Sequence, residues 1–328
     1  MPRQAIMDFS HFQPIRLIDR HVHFVHPEHM ADILALLDEI PCARANLVCI
    51  PNPDATTHNP AALFFKRHHP QRVYLSGALD YAPVLADWDA APRLLAGQAA
   101  ALKAQGFDGL KMIEGKPQAR KLLPLPLDGE AYAGLWAALE AAQFPVVLHV
   151  ADPDEFWDAQ RCPDWARQSG WDYSDGSYPS KEALYAEVEH VLARHPTLKL
   201  TLAHFAFLSG DLPRAAGFLD AHPTVCFDLA PHLDMYHDFS RAPAAARDFF
   251  LRYQDRLLYG TDLDTRPLAR SPNGYAFLRA IPWLIRSFLE TDGEFNLPGQ
   301  PALRGLGLPQ AVLEKIYAGN FERVYFGR

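Results

Sequence analysis

Apolar and polar positions along the chain fall into two alternating patterns. Short apolar runs rich in Val, Leu and Ile occupy 16–24, 45–51, 72–79, 107–113, 144–150, 198–204, 224–229 and 256–262. Each is of strand length and apolar nearly throughout, as expected of a strand covered on both faces. Between them lie stretches whose apolar positions repeat at helical spacing. Met30, Ile33, Leu34 and Leu37 mark a helix within 26–40, Leu63, Phe64 and Phe65 a second, and Leu95, Ala99 and Leu102 one over 88–105. The segments 128–143, 180–195, 212–221 and 241–253 continue the series. The residues from 267 to 328, including 309–317, read as closing helices.

Strands that alternate with helices pair in parallel, with the helices covering the sheet. Eight such strands satisfy a (β/α)₈ TIM barrel, and 328 residues fit one domain of that kind, 1–328. An open doubly wound sheet would show a glycine-rich phosphate turn after its first strand, which this chain lacks. His69-Pro70, His195-Pro196 and His222-Pro223 each fall between a helix and a strand. A histidine suits a helix C-terminus and proline cannot continue the helix, so these three histidines read as turn residues on the face away from any chemistry. Two connections are long. The first, 152–179 after the fifth strand, carries Trp157, Trp165, Trp171, Tyr173 and Tyr178 and reads as an ordered lid-like insertion. Its competing reading is an oligomer contact, as in a homodimer. The second is 230–240.

The formal net charge is −8 without a basic cluster, which gives no surface for nucleic acid or an anionic membrane. No stretch reaches the ~20 apolar residues of a membrane span, and 1–13 lacks the layout of a secretory signal. Cys42, Cys49, Cys162 and Cys226 are scattered without a C-x-x-C pair, which suits buried reduced thiols in a cytoplasmic protein.

Candidate chemistry sits where the strands end. His21 and His23 share a face of the first strand and suit one metal ion. By itself the pair is a weak signal in a chain with fifteen histidines. Lys111 on the fourth strand, His149 on the fifth, His204 on the sixth and Asp262 on the eighth add weight, because a barrel gathers C-terminal strand ends at one mouth. Arg266 follows on a mouth-side loop and suits a substrate carboxylate. His58, Lys181, Asp228 and His232 also lie near loop ends, where a solvated or structural role is the plainer reading.

His-x-His, Lys, His, His and Asp on successive strands resemble the amidohydrolase superfamily over essentially the whole chain. His195-Pro196, Leu202-Ala203-His204, Tyr259-Gly260-Thr261-Asp262 and Asn320-Phe321 resemble its branch that includes decarboxylases of the aminocarboxymuconate-semialdehyde type. The resemblance implies metal binding by His21, His23 and His149, with Asp262 a further ligand or partner of the bound water. His204 becomes a second catalytic group. In a two-metal version a carboxylated Lys111 bridges the ions and His204 ligates the second; one ion is the expectation. The N/N/N/O donor set favours Zn²⁺, with Mn²⁺ or Fe²⁺ as alternatives. The implied function is a metal-dependent hydrolase that activates water to cleave an amide, ester or lactone of a small molecule, with Asp262 moving the proton and His204 polarising the carbonyl. A metal-dependent decarboxylase on the same scaffold, and a non-catalytic or metal-independent relative, are the alternatives.

Overall fold

A computed structural model describes residues 7–25, 27–40, 42–232, 234–266, 273–297 and 300–328. All eight expected strands are present: β1 (Leu17–His23), β2 (Cys42–Val48), β3 (Val73–Gly77), β4 (Gly109–Gly115), β5 (Val146–Val150), β6 (Leu200–Leu202), β7 (Cys226–Asp228) and β8 (Leu257–Leu258). They pair in parallel in the order β1 to β8, each with its neighbour in sequence. The ring closes where the β8 end meets β1. Arg20 N donates to Tyr259 O, Asp262 N to His21 O at 2.8 Å, and His23 N to Leu263 O at 2.7 Å. The (β/α)₈ barrel expected from the apolar rhythm is therefore the observed fold, and its closing seam runs through His21, His23 and Asp262.

Helices cover the outside, among them Met30–Glu39, Asn59–His68, Ala91–Gln105, Glu130–Ala141, Lys181–Arg194 and Leu212–Ala221. Their apolar stripes meet the outward residues of the strands in a continuous core. His69, His195 and His222 each follow the last residue of a helix, as their proline-linked turns predict. His195 Nδ1 also lies 2.9 Å from Glu140. The closing helix Asn320–Phe326 plugs the opposite end: Asn320 donates to the carbonyls of Gln254 and Leu257, and the Tyr325 hydroxyl reaches Ser76. No described helix is long and apolar enough to cross a membrane. All four cysteines are buried free thiols.

Two details depart from expectation. The C-terminal region is not helical throughout, since β9 (Asp292–Phe295) and β10 (Leu303–Leu306) form an antiparallel hairpin within it. Strands this short, each holding a glycine, show too few alternations to be read from a sequence. Residues 267–272, with which that region was expected to begin, lie outside the described residues. The second departure is a bulge in β1, where the three steps from Asp19 to Val22 oppose two in β2.

At the end of β4, Gly115 lies so close to β5 that a Cβ there would sit 2.5 Å from His149 O and 2.9 Å from Val150 Cα. Backbone cannot yield as a flexible side chain can, so Gly115→Ala should cost about 1–3 kcal/mol, as overpacking does. An unchanged urea midpoint for that variant would show that the two strand ends separate freely.

Candidate metal centre

At the seam, His21 is fully buried and both of its ring nitrogens are engaged. Nδ1 lies 2.9 Å from Asp228 Oδ2, a carboxylate that also pairs with Arg20 and accepts from the backbone N–H of His204 (2.7 Å) and Ala230 (3.2 Å). A carboxylate loaded in this way is an acceptor, so His21 carries its proton on Nδ1 and presents Nε2 as a lone pair. Lys111 Nζ, inward on β4, donates to that Nε2 at 3.1 Å. The β1 bulge lets Arg20 and His21, neighbours in one strand, both reach Asp228.

Asp262 Oδ1 lies 3.2 Å from His21 Nε2 and 3.0 Å from His23 Nε2. That oxygen is enclosed, although the Asp262 side chain as a whole is 34% exposed, and no donor among the described residues is aligned on it for a hydrogen bond. His21, His204 and Asp262 each offer a ligand atom within 4.8 Å of the other two. Neutral imidazole nitrogens and a carboxylate crowded together with their lone pairs converging are the donor chemistry of a divalent ion, and the residues fit one.

The His204 ring lies 5.4 Å from that of His21 and 4.9 Å from that of His149. Its Nδ1 lies 3.2 Å from the carbonyl of Ala230, so Nδ1 holds the proton and Nε2 is the lone-pair nitrogen. In that tautomer a neutral His204 can bind an ion or take up a proton through Nε2. His149 stands at the edge of the group, with its Nε2 turned to Ala151 O and Asp152. The structure thus brings His21, His23, Lys111 and Asp262 into contact, sets His204 within 4.8 Å of His21 and Asp262, and places His149 against the His204 ring. Arg266 is different: its guanidinium turns onto Asp264, and it is not among the residues lining the cavity.

Strand ends here leave ordinary backbone geometry. Ala151, the four residues His204–Phe207, and Asp262 all have φ between +51° and +63°. Each such non-glycine residue costs about 1–2 kcal/mol, and strain of this sort collects at functional sites. The His204 turn is held by Lys181 Nζ on Phe207 O at 3.1 Å, by the Tyr185 hydroxyl on Ala206 O, and by Phe205 buried among Phe227, Phe239 and Phe249.

Above the polar floor lies a cavity of about 250 Å³, bounded by His149, His204, Asp262, Lys116, Asp152 and His232 and by the apolar faces of Phe156, Trp165, Trp171 and Phe207. Three of those aromatics belong to 152–179, which has a small core of its own in Phe156, Cys162, Ala166 and Tyr173. Asp228 and His232, weighted above as solvated or structural, are respectively the buried anchor of His21 and part of the cavity wall. Only their places at the ends of strand seven and its loop hinted at this.

Burial is the main influence on the charges. It pushes His21 and His149 down to about 3, in His21 with help from Lys111 and against the pull of Asp228 and Asp262. It brings Lys111 down to about 8. Burial alone would raise the Asp262 carboxyl, but His204, His21 and His23 hold it well below its usual range. The His21 and His149 imidazoles are therefore neutral, as ligands must be. A linkage follows for the metal-free protein. Between pH 6.5 and about 3 the unfolded chain protonates His149 and the folded chain does not. This contribution is complete above 6.5 and is lost as the pH falls, amounting to a few kcal/mol (roughly) at most. In urea unfolding, His149→Gln should show a shallower loss of stability on acidification than the parent; an equal slope would mean that His149 titrates normally.

Comparison with known proteins bears on the fold and the family. A search of curated proteins returned no match. Among solved structures, an uncharacterized TIM-barrel protein from Bordetella bronchiseptica is similar at 14% identity and TM-score 0.59, covering 96% of this chain and 100% of its own. A 2,6-dihydroxybenzoate decarboxylase from Rhizobium is similar at 16% identity and TM-score 0.58, covering 95% and 98%. A 4-oxalomesaconate hydratase from Rhodopseudomonas palustris stands at 12% and 0.58, covering 94% and 95%. At such identities these likenesses bear on the fold alone. The amidohydrolase family profile matches residues 18–327, nearly the whole chain. The chain belongs to the amidohydrolase family and is an enzyme of that scaffold.

Proposed function

We propose that this enzyme is a metal-dependent hydrolase of a small molecule bearing an amide, ester or lactone, working with one divalent ion, Zn²⁺ before Mn²⁺ or Fe²⁺. The observation that carries the reading is the Asp262 carboxylate, with Oδ1 3.0 and 3.2 Å from two imidazole nitrogens at the floor of an aromatic-walled cavity. His21, His23 and Asp262, with His149 and His204 beside them, would hold the ion, whose chemistry is to bring the pKa of water near neutrality and to polarise a carbonyl.

The chain's own groups divide the remaining work. Asp262, held ionised, accepts a proton at the carboxylate and returns it to the leaving group. His204 keeps Nε2 free as a ligand or proton acceptor, while its Nδ1–H stays on Ala230. Lys111 keeps a positive charge beside His21 Nε2, which offsets the crowding of lone pairs there. Phe156, Trp165, Trp171 and Phe207 exclude water and present flat faces to the substrate.

Those flat walls also support a second reading, decarboxylation of an aromatic acid, since the same residues would hold a carboxylate-bearing ring. The two reactions part at the product. Elemental analysis of the purified protein should find one ion per chain, and a panel of lactones, esters and aromatic acids should yield acid without CO₂. CO₂ from an aromatic acid would establish the second reading. Asp262→Asn should retain metal and lose turnover by about 10²–10⁴-fold, the range for a proton-transfer group. Full activity in that variant would remove Asp262 from the chemistry.

A further inference from the structure

Around His149 there is an arrangement that metal binding alone does not require. Ala151 turns left-handed (φ +63°) just past β5, a conformation that side-chain-bearing residues rarely adopt. The turn brings Ala151 O to 3.0 Å and Asp152 Oδ1 to 3.2 Å from one nitrogen, His149 Nε2. A carbonyl and a lysine-paired carboxylate can only accept there, so Nε2 carries the proton and Nδ1 is the free lone pair. His149 is thus set in the opposite tautomer from His21.

The carboxylate that does this is buried, with its side chain 3% exposed, and its other partners lead away from the barrel. Lys116 Nζ donates to both oxygens at 2.7 Å, and the Tyr173 hydroxyl donates to Oδ2 at 2.6 Å. Tyr173 lies in the core of the aromatic insertion, 5.0 Å from the Trp157 ring and 4.7 Å from that of Tyr178. Lys116 is covered by Trp171, its Nζ 4.3 Å from the ring centre. A segment that only roofed the cavity would need no hydrogen bond to a residue behind His149.

We propose that Asp152 is a positioning residue through which the packing of 154–179 fixes the tautomer and orientation of His149, so that the insertion governs uptake of the ion as well as access to the cavity. This rests on the reading of His149 as a metal-binding residue. Tyr173, through its hydroxyl, is the insertion's handle on Asp152.

The test uses the full chain, stripped of metal, with Zn²⁺ as the probe in competition against a chromogenic chelator. His149→Ala, Asp152→Asn and Tyr173→Phe are compared with the parent, and tryptophan emission is followed in the same titrations. His149→Ala should lose most of its affinity. Asp152→Asn should weaken binding 10–100-fold, the range for groups that orient a ligand, and Tyr173→Phe by about 10-fold. The tryptophan response should move to higher Zn²⁺ in parallel. Nitrogen-15 histidine spectra of the metal-free parent should show His149 protonated at Nε2. Asp152→Asn strips Lys116 of its partner and is the variant at risk of misfolding; Tyr173→Phe removes one oxygen and keeps the test decisive. A purely structural role would lower the melting temperature of Tyr173→Phe and leave its Zn²⁺ affinity at the parental value, which overturns the proposal while the metal reading stands. A parent that binds no Zn²⁺, or a His149→Ala that binds as the parent does, overturns the metal role of His149 and the proposal with it.

Discussion

The site depends on one buried carboxylate. Asp228, at the end of β7, is fully enclosed and receives the Arg20 guanidinium, the His21 ring and the backbone N–H groups of His204 and Ala230. An isolated charge in that position would be prohibitively costly, and four donors make it tolerable. Because the donors come from β1 and from the turns after β6 and β7, the pairing ties three strand ends to a common point. It also decides which nitrogen of His21 is free. Burial would raise this carboxyl, but Arg20 and His21 hold it below the ordinary range, so it remains an anion and an acceptor whenever the protein is folded. Removal of Asp228 would leave Arg20 buried without its partner and His21 without a fixed tautomer, two faults from one change.

That anchoring makes the strained backbone intelligible. Ala151, His204 and Asp262 leave β5, β6 and β8 in the left-handed region, where a regular strand would have continued into solvent. Each turn serves a side chain beside the centre: it swings an acceptor behind His149, places His204 over His21, or sets Asp262 between His21 and His23. The energy for holding them comes from the packing around them. The aromatic cluster about Phe205 and the seam bonds of His21 and His23 to the β8 end are what over-determine these conformations.

Much of this was legible in the chain. The eight apolar runs announced the strands, although β6 and β8 are shorter than their runs, because the last apolar and polar positions belong to the strand-end turns that carry the site. Period-two spacing put His21 and His23 on one face, and their rings do lie 5.2 Å apart. The parts that stayed hidden are those set by contacts between strands. Asp228 looked like an ordinary polar residue at a strand end, and nothing local reveals that Arg20 and His21 meet on it through a bulge. The tautomer of His204 was hidden for a similar reason, since the Ala230 carbonyl that fixes it comes from the following βα connection. Arg266 had the right chemistry for a carboxylate and found one two residues away in Asp264.

Two aspartates, Asp228 and Asp152, act on the imidazoles from behind, and the difference between them is informative. Asp228 is tied wholly to the barrel, to strand ends and backbone N–H groups that cannot move without opening the seam. Asp152 is tied to Lys116 and to Tyr173, and hence to a loop segment with a small core of its own. Loop segments occupy the low end of local stability, whereas barrel strands open only with the whole fold. The two sides of the candidate centre therefore differ in kind. His21, His23 and Asp262 are positioned by the seam itself, while the His149 ring, carried on β5 and bonded to Ala151 O, is also held through Asp152 by the packing of the insertion. A centre built in this way keeps most of its candidate donors in place and leaves one of them responsive to whatever orders the loop above it.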